Sequence, residues 1–194
     1  MRQATRKRTT KETDIAVTIQ LDGVGNSSID TGIGFFDHML TAFAKHGYFD
    51  LNIVCKGDLQ VDGHHTVEDV GIALGECIKE ALGDCAGITR FATFFVPMDE
   101  SLAMASLDIS GRPFLVFDAE FLSPSCGGMD TQLVEEFFRG LAFAAGITLH
   151  VQVLYGKNDH HKIEGLFKAF ARALDGASGL DGRTQDIPST KGVL

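Results

Sequence analysis

The sequence predicts an α+β fold made of two fused, pseudo-symmetric copies of a small sheet-plus-two-helix module, and three observations carry that prediction. Segments with period-two alternation are grouped between pairs of helical segments, which is not the strand-helix-strand order of a doubly wound sheet. The string YFDLNIVCKGDLQVDGHHTVED at 48–69 returns as GITLHVQVLYGKNDHHKIEG at 146–165, with strand, polar loop and helix start aligned apart from two residues of loop. Both strings contain HHxxE, as His64, His65 and Glu68 and again as His160, His161 and Glu164, 96 residues apart in a chain of 194.

In the first half, Thr13 to Leu21 alternates, with Ile15, Val17, Ile19 and Leu21 on one face, as a half-buried strand requires. Gly23 and Gly25 mark a turn. Phe36 to His46 is helical, with a stripe of Phe36, Leu40, Phe43 and Ala44, and Gly47 ends it. Phe49 to Cys55 is a second strand. Thr66 to Leu82 is a second helix, with Val67, Val70, Gly71, Leu74, Ile78 and Ala81 three or four residues apart. In the second half, Phe91 to Val96, Leu102 to Ile109 and Pro113 to Phe121 are strands, the last following the turn SGRP. Leu133 to Ala145 is a helix ending at Gly146, Ile147 to Leu154 a strand, and Lys162 to Leu174 the last helix. Each half is a mixed sheet with helices on one face. The repeats span about 1–88 and 89–180 within a single catalytic unit of 1–194, and a turn-rich tail at 181–194 is either loose or closes over a site.

Composition narrows the function classes. The chain is 44% apolar and 22% charged, an ordinary globular balance, and its length suits a core burying roughly 70% of the unfolded surface. A formal charge of −9 argues against binding nucleic-acid backbones, although a few local bases suffice for a small anion. The basic start MRQATRKRTTKET lacks the apolar core of a signal peptide, no run is long enough to span a bilayer, and a cytoplasmic protein is expected. Cys55, Cys77, Cys85 and Cys126 lack CxxC spacing and read as free thiols.

The HHxxE runs point to metal. On a helix the Glu lies on the face of the imidazoles three and four residues back, while adjacent histidines diverge by about 100° and so suit two ions better than one. If the halves pack as pseudo-symmetric partners, each ion can take one histidine from each run. A lone HHxxE fits a surface pair near a helix start equally well; its recurrence at equivalent places favours ligation. His38 lies 26 residues before His64 and Glu136 lies 24 before His160, so both complete the set. His46, near a helix C-terminus, and His150, in a strand, stand outside it. Such a nitrogen and oxygen shell suits Mn, Fe, Zn or Ni. On this chemistry alone a metal-dependent lyase, a dinuclear metal phosphoesterase and a metal-stabilised assembly protein all stay open.

Longer motifs add a resemblance that runs almost end to end: KRTTKET at 7–13, TGIGFFDHML at 31–40, GDLQVDGHHTVEDVGIALG at 57–75, RF at 90–91, PMDE at 97–100, DISGRP at 108–113, LVEEFFRGLA at 133–142, TLH at 148–150, GKNDHHKIEGLFKAFARAL at 156–174 and PSTKGV at 188–193. Together they resemble the imidazoleglycerol-phosphate dehydratase family. The resemblance implies a hydro-lyase of histidine biosynthesis that dehydrates D-erythro-imidazole-glycerol phosphate to imidazole-acetol phosphate through a metal-bound imidazolate or diazafulvene-like intermediate. It implies Mn2+, two ions per active site, held by His38, His64, His65, Glu68, Glu136, His160, His161 and Glu164. Position 136 is histidine in some members and Glu136 here. Glu12 is implied in proton transfer, with Glu68 and Glu164 combining ligation and proton handling. Substrate is implied to lie against Glu12, the ligands at 38, 64, 65, 136, 160 and 161, and Arg90, Arg112, Lys168, Thr190, Lys191 and Gly192. The implied fold resembles the ribosomal S5 domain 2-like fold. The implied assembly is a homo-oligomer, a 24-mer with metal and a trimer without it, and neither nucleic acid nor membrane is an implied partner.

Overall fold

A computed structural model describes residues 2–194; Met1, the first residue of the first repeat, lies outside the described residues. The first repeat runs β1 (Gln3–Thr9), β2 (Thr13–Gln20), β3 (Ser27–Asp30), α1 (Gly34–Gly47), β4 (Asp50–Gly57) and α2 (His64–Leu82). The second runs β5 (Phe91–Met98), β6 (Ser101–Asp108), β7 (Phe114–Asp118), a small hairpin of β8 (Ser125–Cys126) and β9 (Met129–Asp130), α3 (Leu133–Ala145), β10 (Thr148–Tyr155) and α4 (Asp159–Ser178). The sheets have matching orders, β1-β2-β4-β3 and β5-β6-β10-β7, antiparallel except for the parallel pairs β3 with β4 and β7 with β10. The duplicated mixed-sheet module is therefore present.

The helices of each repeat cover one face of their own sheet and pack on the helices of the other repeat, α2 on α3 and α1 on α4. Phe43 of α1 stacks on Phe170 of α4 across one of these contacts, at 5.4 Å between centroids, and Phe137 of α3 stacks on Phe167 of α4 within the second repeat at 5.0 Å. The α2 and α3 backbones meet closely because both carry glycine. A Cβ on Gly75 would stand 2.5 Å from the carbonyl oxygen of Leu141, and one on Gly140 would stand 2.9 Å from that of Glu68. This contact fixes the first turns of α2 and α3, which carry predicted ligands.

Several elements differ from the sequence expectation. The basic N-terminus forms β1, an edge strand in which Ala4 is buried while Arg6 and Arg8 on the same face pair with Glu80 and Asp69 of α2, so it carries no apolar alternation. β3 is a four-residue edge strand, too short to show a period. Helices α2 and α4 begin earlier than their apolar stripes, so both histidine pairs sit in the first helical turn. Gly47 is the last residue of α1, and the left-handed turn falls on Tyr48 at φ 57°. A β-bulge between Val153 and Tyr155 adds a residue to β10. Thr13 faces Gly57 across β2 and β4, and Leu102 faces Tyr155 across β6 and β10, so Gly57 corresponds to Gly156. Six residues then separate Gly57 from His64 and three separate Gly156 from His160.

Candidate active site

The first turn of α4 is built by side chains pointing in opposite directions. Asn158 caps it, its Oδ1 accepting from the His161 backbone N–H at 3.3 Å. Asp159 turns inward, accepting from the N–H groups of Leu122 and Ser123 and from Lys162 Nζ, which ties α4 to the segment after β7. His160 is left on the outer face beside α1. There Glu164 Oε2 stands 3.0 Å from His160 Nε2 and 3.4 Å from His38 Nε2. One donor atom from each of His38, His160 and Glu164 lies within 4.8 Å of the other two. Two imidazoles and a carboxylate so placed fit a divalent ion of borderline hardness. Burial works to raise the Glu164 carboxyl, but its bonds to Lys168 and His160 prevail and hold it below the ordinary range.

The start of α2 repeats this chemistry with different supports. Asp62 accepts from the His64 N–H at 2.8 Å, and His64 Nε2 stands 3.4 Å from Glu68 Oε2. His65 holds both oxygens of Asp58 at Nδ1, at 3.0 and 3.1 Å, and has Glu12 Oε1 3.7 Å from Nε2. Glu136 projects from the face of α3 that meets α2, four residues before Gly140, and its carboxylate pairs with Arg139 at 3.5 Å. The His64 side also opens on a cleft of about 660 Å³ lined by Gly32, Leu59, Gly63, Gly128 and Leu133. On α4, His161 repeats the His65 arrangement: Nδ1 is 2.7 Å from Glu100 Oε2, and Nε2 is 3.6 Å from Asp99 Oδ2. The hydrogen bonds to Asp58 and Glu100 raise the two imidazoles, and the bond to His161 drives Glu100 far below the carboxylate range.

The predicted anion-binding residues, Lys168 apart, sit elsewhere. Arg90 is gripped by Asp108, from Nε at 2.7 Å and Nη2 at 3.3 Å, and its Nη1 donates to the Pro188 carbonyl at 2.7 Å. The tail is therefore docked rather than loose, and a Cβ on Gly111 would meet Leu194. Arg112 reaches the same Asp108 at 3.8 Å with its side chain 67% exposed. Thr190, Lys191 and Gly192 follow in a turn in which the Lys191 N–H donates to Ser189 Oγ and the Gly192 N–H to the Ser189 carbonyl. Lys168 is on α4, 2.6 Å from Glu164 Oε1. Arg90 precedes β5 and Asp99 follows it, so eight residues of extended chain, about 25 Å, separate the arginine from the His161 end.

Comparison with known proteins decides the family. The model of the imidazoleglycerol-phosphate dehydratase family matches residues 31–174. The chain belongs to the imidazoleglycerol-phosphate dehydratase family. Among curated members, that of Acetivibrio thermocellus is 61% identical over 187 residues, covering 96% of each chain, and that of Lacticaseibacillus casei is 59% identical over the full length of both. Among solved structures, the Staphylococcus aureus enzyme has a TM-score of 0.84 at 41% identity, covering 92% of this chain and 99% of its own. The Pyrococcus furiosus enzyme, in complex with (S)-C348, has a TM-score of 0.85 at 40% identity, covering 97% and 100%.

Of the eight ligands that the dehydratase resemblance implies, the chain gathers His38, His160 and Glu164 into one cluster. It holds His64, His65 and Glu68 on α2 with Glu136 on neighbouring α3. His161 follows the cluster by one residue but turns its ring toward the β5–β6 turn. The expectation that one ion draws a histidine from each run is not realised among the described residues of a single chain. His46 and His150 stay outside; burial lowers His46, and His150 is exposed on β10. Sequence reasoning did not single out Asp58, Asp99, Glu100 or Asp108. The motifs GDLQVDGHH, PMDE and DISGRP contained them, but a carboxylate that serves a side chain across the fold leaves no periodic trace.

Proposed function

We propose that this chain dehydrates D-erythro-imidazole-glycerol phosphate to imidazole-acetol phosphate in histidine biosynthesis. The convergence of His38, His160 and Glu164, in a chain of this family, carries the reading. Comparing substrate with product, the carbon next to the ring loses its hydroxyl, its neighbour loses the C–H hydrogen, and the resulting enol becomes the ketone. Two Mn2+ ions per active site, held by His38, His64, His65, Glu68, Glu136, His160, His161 and Glu164, supply Lewis acidity and a template when bound.

The chain's own groups do the rest. Glu12 has a side chain 51% exposed and 3.7 Å from His65 Nε2, and it serves as the carboxylate that moves the proton. Glu164 is divided between Lys168 and two imidazoles, and Glu68 leans on His64, so each is a poorer free base than Glu12. Arg90 and Arg112, aligned by Asp108, present planar donors to a phosphate beside Thr190, Lys191 and Gly192, and Lys168 adds a point charge.

The parts of the site are far apart within one chain, which supports a homo-oligomer whose neighbouring copies complete each other's sites: a 24-mer with metal and a trimer without it. The two repeats and the 181–194 tail act as a single catalytic unit, with a fold of the ribosomal S5 domain 2-like kind. No helix among the described residues is long and apolar enough to cross a membrane. The cytoplasm is the proposed compartment, and the four cysteines, all free thiols, suit it.

Substrate incubated with the purified protein tests the reaction class. Formation of the dehydrated ketone with its phosphate retained is the expected result, whereas release of inorganic phosphate identifies a dinuclear phosphoesterase instead.

A further inference from the structure

The two HHxxE runs are repeats, but the carboxylates behind them are not. His65 meets Asp58, the first residue after β4, whereas His161 meets Glu100, the last residue before β6. With Gly57 matched to Gly156, the counterpart of Asp58 is Lys157, which has no oxygen in its side chain to accept an imidazole N–H. The counterpart of Glu100 is Glu12, each immediately preceding the first residue of its hairpin's second strand, Ser101 and Thr13. Glu12 faces Nε2 of His65, not Nδ1. The same Nδ1 to carboxylate pair has thus been supplied twice from different elements.

We infer that Asp58 and Glu100 are positioning residues that hold His65 and His161 in the Nδ1–H tautomer and aim Nε2 at the metal, and that Asp58, by taking this duty, leaves Glu12 free beside Nε2. The inference rests on the metal-dependent reading above. Asp58 is the stronger case, because its side-chain oxygens make hydrogen bonds only to His65 among the described residues, although the side chain is just 18% exposed. Packing requires no acid there. Glu100 does two jobs: Oε2 takes His161, while Oε1 accepts from the N–H groups of Lys157 and Asn158 at 3.0 and 2.8 Å, fixing the loop that caps α4. A ligating imidazole whose other nitrogen donates to a carboxylate is fixed in tautomer and orientation, and losing such a partner typically costs 10- to 100-fold in metal affinity.

The test compares wild type, Asp58→Ala and Asp58→Asn in two measurements. Mn2+ alone is titrated into each protein after metal removal, and the 15N shifts of the imidazoles report the His65 tautomer in the metal-free protein. Asp58→Ala should weaken Mn2+ binding about 10- to 100-fold and lose the Nδ1–H tautomer, with an unchanged unfolding midpoint. Asp58→Asn retains a carbonyl acceptor and should keep the tautomer and recover most of the affinity. Glu100→Ala, which removes both acceptor oxygens, should lose the Nδ1–H tautomer at His161 as Asp58→Ala does at His65, and it also frees the N–H groups of Lys157 and Asn158. Unchanged tautomer and affinity in Asp58→Ala overturn the inference. Wild type that takes up no Mn2+ refutes the metal reading instead, and the tautomer still decides whether Asp58 sets the ring.

Discussion

Glu164 and Lys168 are joined at 2.6 Å through Oε1, while Oε2 of the same carboxylate stands among the imidazoles of His160 and His38. One oxygen anchors the side chain and the other is left for a cation. Glu164→Gln keeps the shape but replaces the charged ligand. It should lower bound metal per chain and cut turnover at least about 100-fold, as elemental analysis and kinetics on the same sample report; unaltered metal content removes Glu164 from the ligand set.

Arg112 tests the anion side with little structural disturbance. Its side chain is largely exposed, so Arg112→Ala should change stability by no more than about 0.5 kcal/mol. It should raise KM for the phosphorylated substrate and leave binding of a dephosphorylated analogue almost untouched. Equal losses for both ligands contradict a phosphate role.

Gly75 separates packing from helix propensity. Alanine in an open helix interior is favoured by about 1 kcal/mol over glycine, yet here the new Cβ would lie 2.5 Å from the backbone oxygen of Leu141 and 3.0 Å from the Ala145 nitrogen. Two helices must separate to admit it. Gly75→Ala should therefore destabilise by about 1–3 kcal/mol, lowering Tm by about 2–4 °C per kcal/mol. A raised midpoint in calorimetry refutes the close approach of α2 and α3.

Burial pushes the Cys55 and Cys77 thiols up to about 11. Folded and unfolded chain differ in the pH window between the ordinary thiol value of 9.0 and about 11. Below 9.0 both states hold the proton and this contribution is intact; as pH rises through the window the unfolded chain ionises first and stability is lost. Denaturant titrations at several alkaline pH values should show this slope, reduced in Cys55→Ala with Cys77→Ala. Neither thiol should react with an aromatic disulfide in the folded protein at neutral pH.

Legibility in the sequence followed burial. α3 was readable to its last residue because its apolar stripe is buried along the whole helix, against α2, α4 and β7, and β2 because its apolar side faces α2. β1 was not, since an edge strand with one buried residue has no pattern to read. The histidine runs declared a metal site through repetition, but their separation within the chain was hidden, because it depends on which helix packs on which. Glu12 was identifiable only through the family resemblance, and Asp58 not at all, since a single acid in a polar loop is unmarked until His65 turns toward it.

Metal removal tests the central claim most directly. Protein purified without chelator, stripped and then refilled with Mn2+, is assayed for imidazole-acetol phosphate formation, bound metal and particle mass together. The account predicts that stripping abolishes turnover and reduces the 24-mer to trimers, and that refilling restores both with about two ions per chain. Full turnover by the stripped protein, or complete refilling with no turnover, contradicts it.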